Sequence, residues 1–147
     1  MTQTEVKQSV QFNSRMDRLR KGVLKSVFAA YEAAGIPCSI RLAKREACSR
    51  WANAGFNDLE KVELEWIYKK WCAIQKVISH HRREGIHMSD PIAYAVETVC
   101  NAARADSIND LTLGDLNRIT HEWRKKKDVK DVREAQDYEH AIRARMN

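Results

Sequence analysis

Positively charged side chains set at helical spacing are the chemistry this chain offers most openly. Arg41, Lys44 and Arg45 fall three and four residues apart, and Arg18, Lys21 and Lys25 repeat the pattern upstream. Residues at those intervals share one side of an α-helix, so each trio forms a cationic stripe. Rows of guanidinium and ammonium groups neutralise phosphates, and a polyanion meeting them releases counterions. Residues 1–55 carry ten Lys/Arg against four Asp/Glu, whereas residues 86–147 carry ten against eleven. The formal net charge of +6 therefore resides near the amino end. Arg124 and Lys125, in the run Arg124–Lys127, add a second positive element, at a position where cations also offset a helix dipole.

Other chemistries find little support. The four cysteines (Cys38, Cys48, Cys72, Cys100) are scattered without a CxxC pair, and are expected to be reduced thiols packed as small hydrophobes. Adjacent His80 and His81 point about 100° apart on a helix and cannot chelate together easily. No cysteine–histidine arrangement for nucleophilic catalysis is recognisable, and Asp128 and Asp131 read as caps and helix charges. No metal, no cofactor and no enzymatic activity are expected. No apolar run approaches the roughly 20 residues a bilayer demands, so no membrane role is expected. The amino end lacks an apolar signal core, which predicts a cytoplasmic protein.

The elements that must position the cations are helices. Periodicity of three and four runs through nearly the whole chain, and five Gly and two Pro leave little material for the turns of a β-fold. The expected architecture is all-α: a compact bundle of five to six helices around a long central one. Residues 1–12 read as a flexible tail and 13–147 as one helical domain. The first helix is expected from Asn13 or Ser14 to Gly35, burying Met16, Leu19, Val23, Val27 and Tyr31. The second runs from Pro37 and Ser39 to Gly55 with Ile40, Ala43, Ala47, Trp51 and Ala54 inward. Asn57 and Glu60 form a capping-box-like pair ahead of the third. Its stripe is Leu59, Val62, Trp66, Ile67, Trp71, Ile74 and Ile78, with His81 at the boundary. A fourth helix begins at Ser89 or Asp90 with Pro91 and buries Ile92, Val96, Val99 and Ala103. Thr112 with Asp115 opens a fifth, carrying Leu116, Ile119 and Trp123. Val129, Val132, Ala135, Tyr138 and Ile142 either continue it or pack back as a sixth, with a break or exposed stretch expected at the basic run. The four tryptophans are expected in the core.

A helix-turn-helix across Gly55 fits poorly. Trp51 occupies the place of a small residue, Lys61 that of an aliphatic one, and the third helix opens with Asp58, Glu60 and Glu63. Phosphates would thus be held by the second helix sooner than bases by the third. Leu116, Ile119 and Trp123, followed by the basic stretch and Val129, resemble the closing helix of DnaD-type bacterial replication-initiation domains. The resemblance covers some 15–20 residues and implies a DNA-binding segment after the helix. It departs from that pattern at Asp115, where an aromatic is usual, and in a longer preceding loop.

Together these features predict a small non-enzymatic nucleic-acid-binding accessory protein of replication, recombination or transcription regulation, with DNA ahead of RNA. Arg41, Lys44 and Arg45 are the expected main phosphate contacts, Arg18, Lys21 and Lys25 the second rank, and Arg124 and Lys125 an outlying pair. The competing expectation is a protein–protein adaptor or inhibitor whose basic face docks on an acidic protein. A homodimer built on the third helix is compatible with either. The nucleic-acid reading places the two amino-terminal stripes on a single exterior side.

Overall fold

The computed structural model describes the backbone of residues 3–51 and 53–146, and the side chains of 14–126, apart from 52, and of 136–145. Among the described residues there are five α-helices and no strand: α1 (Gln3–Ala34), α2 (Ile40–Ala47), α3 (Lys61–Arg83), α4 (Pro91–Ala103) and α5 (Leu113–Met146). Two short 3-10 turns, Phe56–Asp58 and Ile108–Asp110, precede α3 and α5. The result is an all-α bundle organised around α3.

Local chemistry sets most of the helix ends. Ser39 Oγ accepts from the Leu42 N–H at 3.1 Å and caps α2. Asp90 Oδ1 accepts from the Ala93 N–H at 3.2 Å ahead of Pro91, opening α4. Thr112 and Asp115 close a reciprocal capping box: the Asp115 N–H donates to Thr112 Oγ1 at 3.1 Å and the Thr112 N–H to Asp115 Oδ2 at 3.0 Å. These bonds hold the Asp115 carboxyl below the usual carboxylate range. Gly35 and Gly85, with φ of 72° and 74°, let the chain turn left-handed after α1 and α3. The Ile36 and Ile86 N–H groups then reach back to the carbonyls of Tyr31 and His81, each at 3.0 Å.

Other ends differ from expectation. α1 begins at Gln3, upstream of the Asn13 and Ser14 caps, because no Gly or Pro interrupts the chain before Gly22 and a polar residue inside an exposed helix costs only tenths of a kcal/mol, about 0.5. The backbone of residues 3–12, read as a tail, is thus helical. α2 stops at Ala47 instead of Gly55. Successive three-residue turns there swing Trp51 against Trp66, ring centroids 5.8 Å apart and edge-on. Glu60, without a side-chain cap bond, starts α3, since Asn57 lies in the 3-10 turn where its carbonyl accepts from Arg20 Nη2 at 3.1 Å. α5 runs unbroken through the basic run to Met146, as Lys and Arg are good helix formers when exposed. Tyr138 (70% exposed) and Ile142 are both exposed, so no sixth helix packs back. The side chains of Val129, Val132 and Ala135 lie outside the described residues.

α1, α3 and α5 run in the same direction. Leu19 meets the start of α3 and Arg82 Nη2 donates to the Ala34 carbonyl at 2.9 Å near its end. Likewise the Trp66 indole N–H donates to the Leu111 carbonyl at 2.8 Å, while His80 and His81 pack edge-on against Trp123. α5 therefore outlasts α3 and leaves the bundle beyond Trp123. The buried core takes Val23, Val27 and Ala30 from α1, Leu64, Ile67, Trp71, Ile74, Val77 and Ile78 from α3, and Val99, Leu116 and Ile119 beyond. Ile40 and Val62, expected inward, are exposed. Ile74→Ala should cost about 3 kcal/mol in chemical denaturation, typical of a truncated core isoleucine. Tyr138→Ala should leave the midpoint unchanged, because this side chain is 70% exposed.

Candidate nucleic-acid interface

α3 is covered on every side but one. Its uncovered positions, Glu65, Tyr68, Lys69, Cys72, Gln75, Lys76, Ser79 and Arg83, repeat at three and four and so make one stripe along the helix. α1 and α5 flank this stripe and turn it into the floor of a valley. At one end Arg18, Leu19 and Gly22 of α1 face Leu113 and Asn117 of α5 across Glu65, Tyr68 and Lys69, lining a half-open cavity of about 520 Å³. Farther along, Gln75, Lys76, Ser79 and Arg83 of α3 join Trp123 and Arg124 of α5 around a groove of about 410 Å³. Among the described residues no carboxylate lines that second groove; its described charged lining groups are cations.

Contacts within the valley hold its cations in place. Arg83 Nε donates to the Ser79 carbonyl at 3.4 Å, and Gln75 Nε2 to Ser79 Oγ at 2.9 Å. Lys126 Nζ lies 4.1 Å from the Trp123 ring centroid, a cation–π contact at the groove's edge. Cys72 raises the Tyr68 phenol above its ordinary range, while Arg124 acts in the opposite sense.

The structure separates the two amino-terminal stripes. Lys44 sits over the Phe56 ring at 5.9 Å, beside the Asn57 carbonyl that Arg20 engages. Arg18 and Arg20 are about 160° apart around α1 at 3.6 residues per turn, so Arg18 faces the valley and Lys44 the opposite flank. Arg41 and Arg45 are exposed on the side of α2 away from buried Ala43 and Ala47. Lys21 and Lys25 are exposed on the outer side of α1, and Lys25, seven residues from Arg18, lies above the valley's α1 wall. Arg124 joins Arg18 along the valley, whereas Lys125 is exposed on the far side of α5. None of these eight cations is ion-paired to a carboxylate among the described residues. The segment 48–60 between α2 and α3 is far longer than the three- or four-residue turn of a helix-turn-helix.

Lys69, Lys76 and Arg83 do not stand out in the sequence; Lys76 and Arg83 come late in a long helix whose acidic residues come early, an order that complements the helix dipole. Their repeat with Cys72 and Ser79 is the signal that could have found them. Lys70 was hidden differently, inside an apolar rhythm. It is 6% exposed, with Nζ 5.6 and 5.3 Å from the rings of Trp66 and Trp71, and Arg50 also lies over Trp66 at 4.3 Å. Burial pushes the Lys70 ammonium below its ordinary range, and Glu46 offsets part of that shift. Trp51, though half-buried, completes this cluster.

His80 and His81 pack edge-on against Trp123 at 5.1 and 5.5 Å, and His81 also against Tyr94 at 5.1 Å. Burial lowers both imidazoles below the ordinary histidine value, and Lys126 adds to this; Glu84, 3.7 Å from His80 Nε2, works against it. Among the described residues no group of three or more His, Cys, Asp or Glu could hold a metal ion, and the four cysteines are free thiols. No described helix is long and apolar enough to cross a membrane. No protein-family model, curated protein or solved structure matches this chain.

Two pH effects are expected. An ammonium with a depressed folded-state pKa destabilises fully below that value, and the penalty fades as pH rises toward 10.5. Lys70→Met, which keeps the stem and removes the charge, should raise stability at pH 7 by about 1 kcal/mol and flatten this alkaline rise in urea titrations. The histidines titrate in the opposite region: the unfolded chain takes protons first below about 6.5. Stability should therefore fall as pH drops from 6.5 to 5, and His80→Gln/His81→Gln should shrink that loss.

Proposed function

We propose that this protein binds nucleic acid through the valley between α1 and α5, without performing catalysis, as an accessory factor in replication, recombination or transcription. The observation that carries this reading is the groove of Gln75, Ser79, Arg83 and Arg124, where no carboxylate stands among the described lining residues. Arg18 and Lys69 add two cations at the other end of α3, beside the Glu65 carboxylate. From Lys69 to Arg83 the helix rises about 21 Å at 1.5 Å per residue, room for several successive phosphates. Lys and Arg side chains supply the counterion-releasing contacts, and the amides and hydroxyls of Gln75, Asn117 and Ser79 supply neutral hydrogen bonds. The sequence places Arg41, Lys44 and Arg45 first; the valley geometry favours Arg124 and Arg18 over them.

Fluorescence anisotropy with labelled single-stranded DNA, duplex DNA and RNA at 50 and 200 mM salt tests this. Arg83→Ala/Arg124→Ala should weaken binding about tenfold at the lower salt. It should also reduce the salt slope by roughly 0.7 to 0.9 per phosphate contact removed. Arg41→Ala/Arg45→Ala should change affinity less than threefold. No binding to any of the three at 50 mM salt would overturn the reading and redirect it to an acidic protein partner.

A further inference from the structure

We infer that the cavity formed by Leu19 and Gly22 of α1, Tyr68 of α3 and Leu113 of α5 holds one unpaired nucleobase, so that the strand bound along α3 is single. This rests on the nucleic-acid reading above and names the form of nucleic acid it takes. The cavity, about 520 Å³, falls in the size range of small-ligand sites. Its walls are two leucines, an exposed tyrosine ring and a bare stretch of helix backbone at Gly22. Gly22 is the unusual member. A Cβ there would meet nothing within 4 Å, so packing does not demand glycine, and glycine in a helix interior is destabilising relative to alanine. What glycine does at this position is keep one wall flat.

A flat apolar slot with polar groups at its edge suits a planar ring that has apolar faces and hydrogen-bonding edges. The Asn117 amide can both donate and accept, and the Glu65 carboxylate can accept from an exocyclic amine. Arg18 and Lys69 at the rim are placed for the phosphates on either side of the base. Tyr68 offers the stacking surface, which tolerates any base because every base has a π-face. A base inside a duplex is stacked on its neighbours and cannot present its face. The cationic groove at Gln75, Ser79, Arg83 and Arg124 continues along the same stripe, so a backbone leaving the slot meets positive charge at once.

The test compares a labelled 15-nucleotide single strand with a duplex of the same length, in wild type, Gly22→Leu, Tyr68→Ala and Tyr68→Phe. Gly22→Leu projects into open space and should fold with a thermal midpoint at or above that of wild type. It should nonetheless weaken single-strand binding about tenfold while leaving duplex binding within twofold. Tyr68→Ala should behave the same way, and Tyr68→Phe should retain wild-type affinity. Unchanged single-strand affinity in Gly22→Leu, or duplex bound more tightly than single strand by wild type, would overturn the slot assignment. If duplex binding then still falls in Arg83→Ala/Arg124→Ala, the nucleic-acid reading survives without it. A free mononucleotide that displaces the 15-mer at equal base concentration would overturn the single-strand occupant in favour of a small ligand. Absence of binding to either nucleic acid would overturn both readings.

Discussion

The fold turns on a single constraint: α3 must be shielded from water around most of its circumference. Nine of its residues are buried, from Leu64 to Ile78, and they fall on adjacent faces. One neighbouring helix can cover about a third of such a cylinder, so α1, α4 and α5 are all needed. The uncovered remainder is the stripe from Glu65 to Arg83. Burial of the centre and creation of the valley are thus the same event, since the helices that shield α3 also become the valley's walls.

Trp66 fixes how those walls sit. Its indole N–H is bound to the Leu111 carbonyl, which sets where α5 starts relative to α3. Its ring takes Trp51 edge-on and two cations, Arg50 and Lys70, within cation–π range. Arg20, engaging Asn57, and Arg82, engaging Ala34, tie the ends of α1 to the same frame. At Gly35 the left-handed turn, with φ of 72°, favours glycine; a Cβ there would lie 2.8 Å from Arg82 Nη2, the flexible end of a side chain that can give way. These polar ties are few, yet each satisfies a backbone carbonyl, and together they fix the directions of α1 and α5.

Charge is distributed according to the same geometry. Arg20 and Arg82 are engaged by backbone carbonyls and Lys70 is buried among aromatic rings, so these three serve the fold. Arg18, Arg41, Arg45 and Arg124 remain exposed without a carboxylate partner among the described residues. Sequence charge alone cannot distinguish the two groups. The His80–His81–Trp123 cluster then marks where α5 parts from the bundle, and beyond it the helix carries exposed Tyr138 and Ile142.

The sequence by itself determined the helical class, the stripes of α1 and of Leu116, Ile119 and Trp123, and the ends made by Ser39, Gly35, Gly85, Asp90 and the Thr112–Asp115 pair. Each of these depends on residues within four or five positions of one another, so local spacing suffices to read them. Tertiary structure alone decided that Trp51 turns out of α2 to meet Trp66, that Val62 faces water, and that Lys70 is enclosed. It also decided that Arg18 lies along one valley with Arg124 while Lys44 lies on the opposite flank of α1. Those outcomes depend on which helix covers which face, a matter of long-range packing and rotation about each helix axis that three- and four-residue periodicity does not contain.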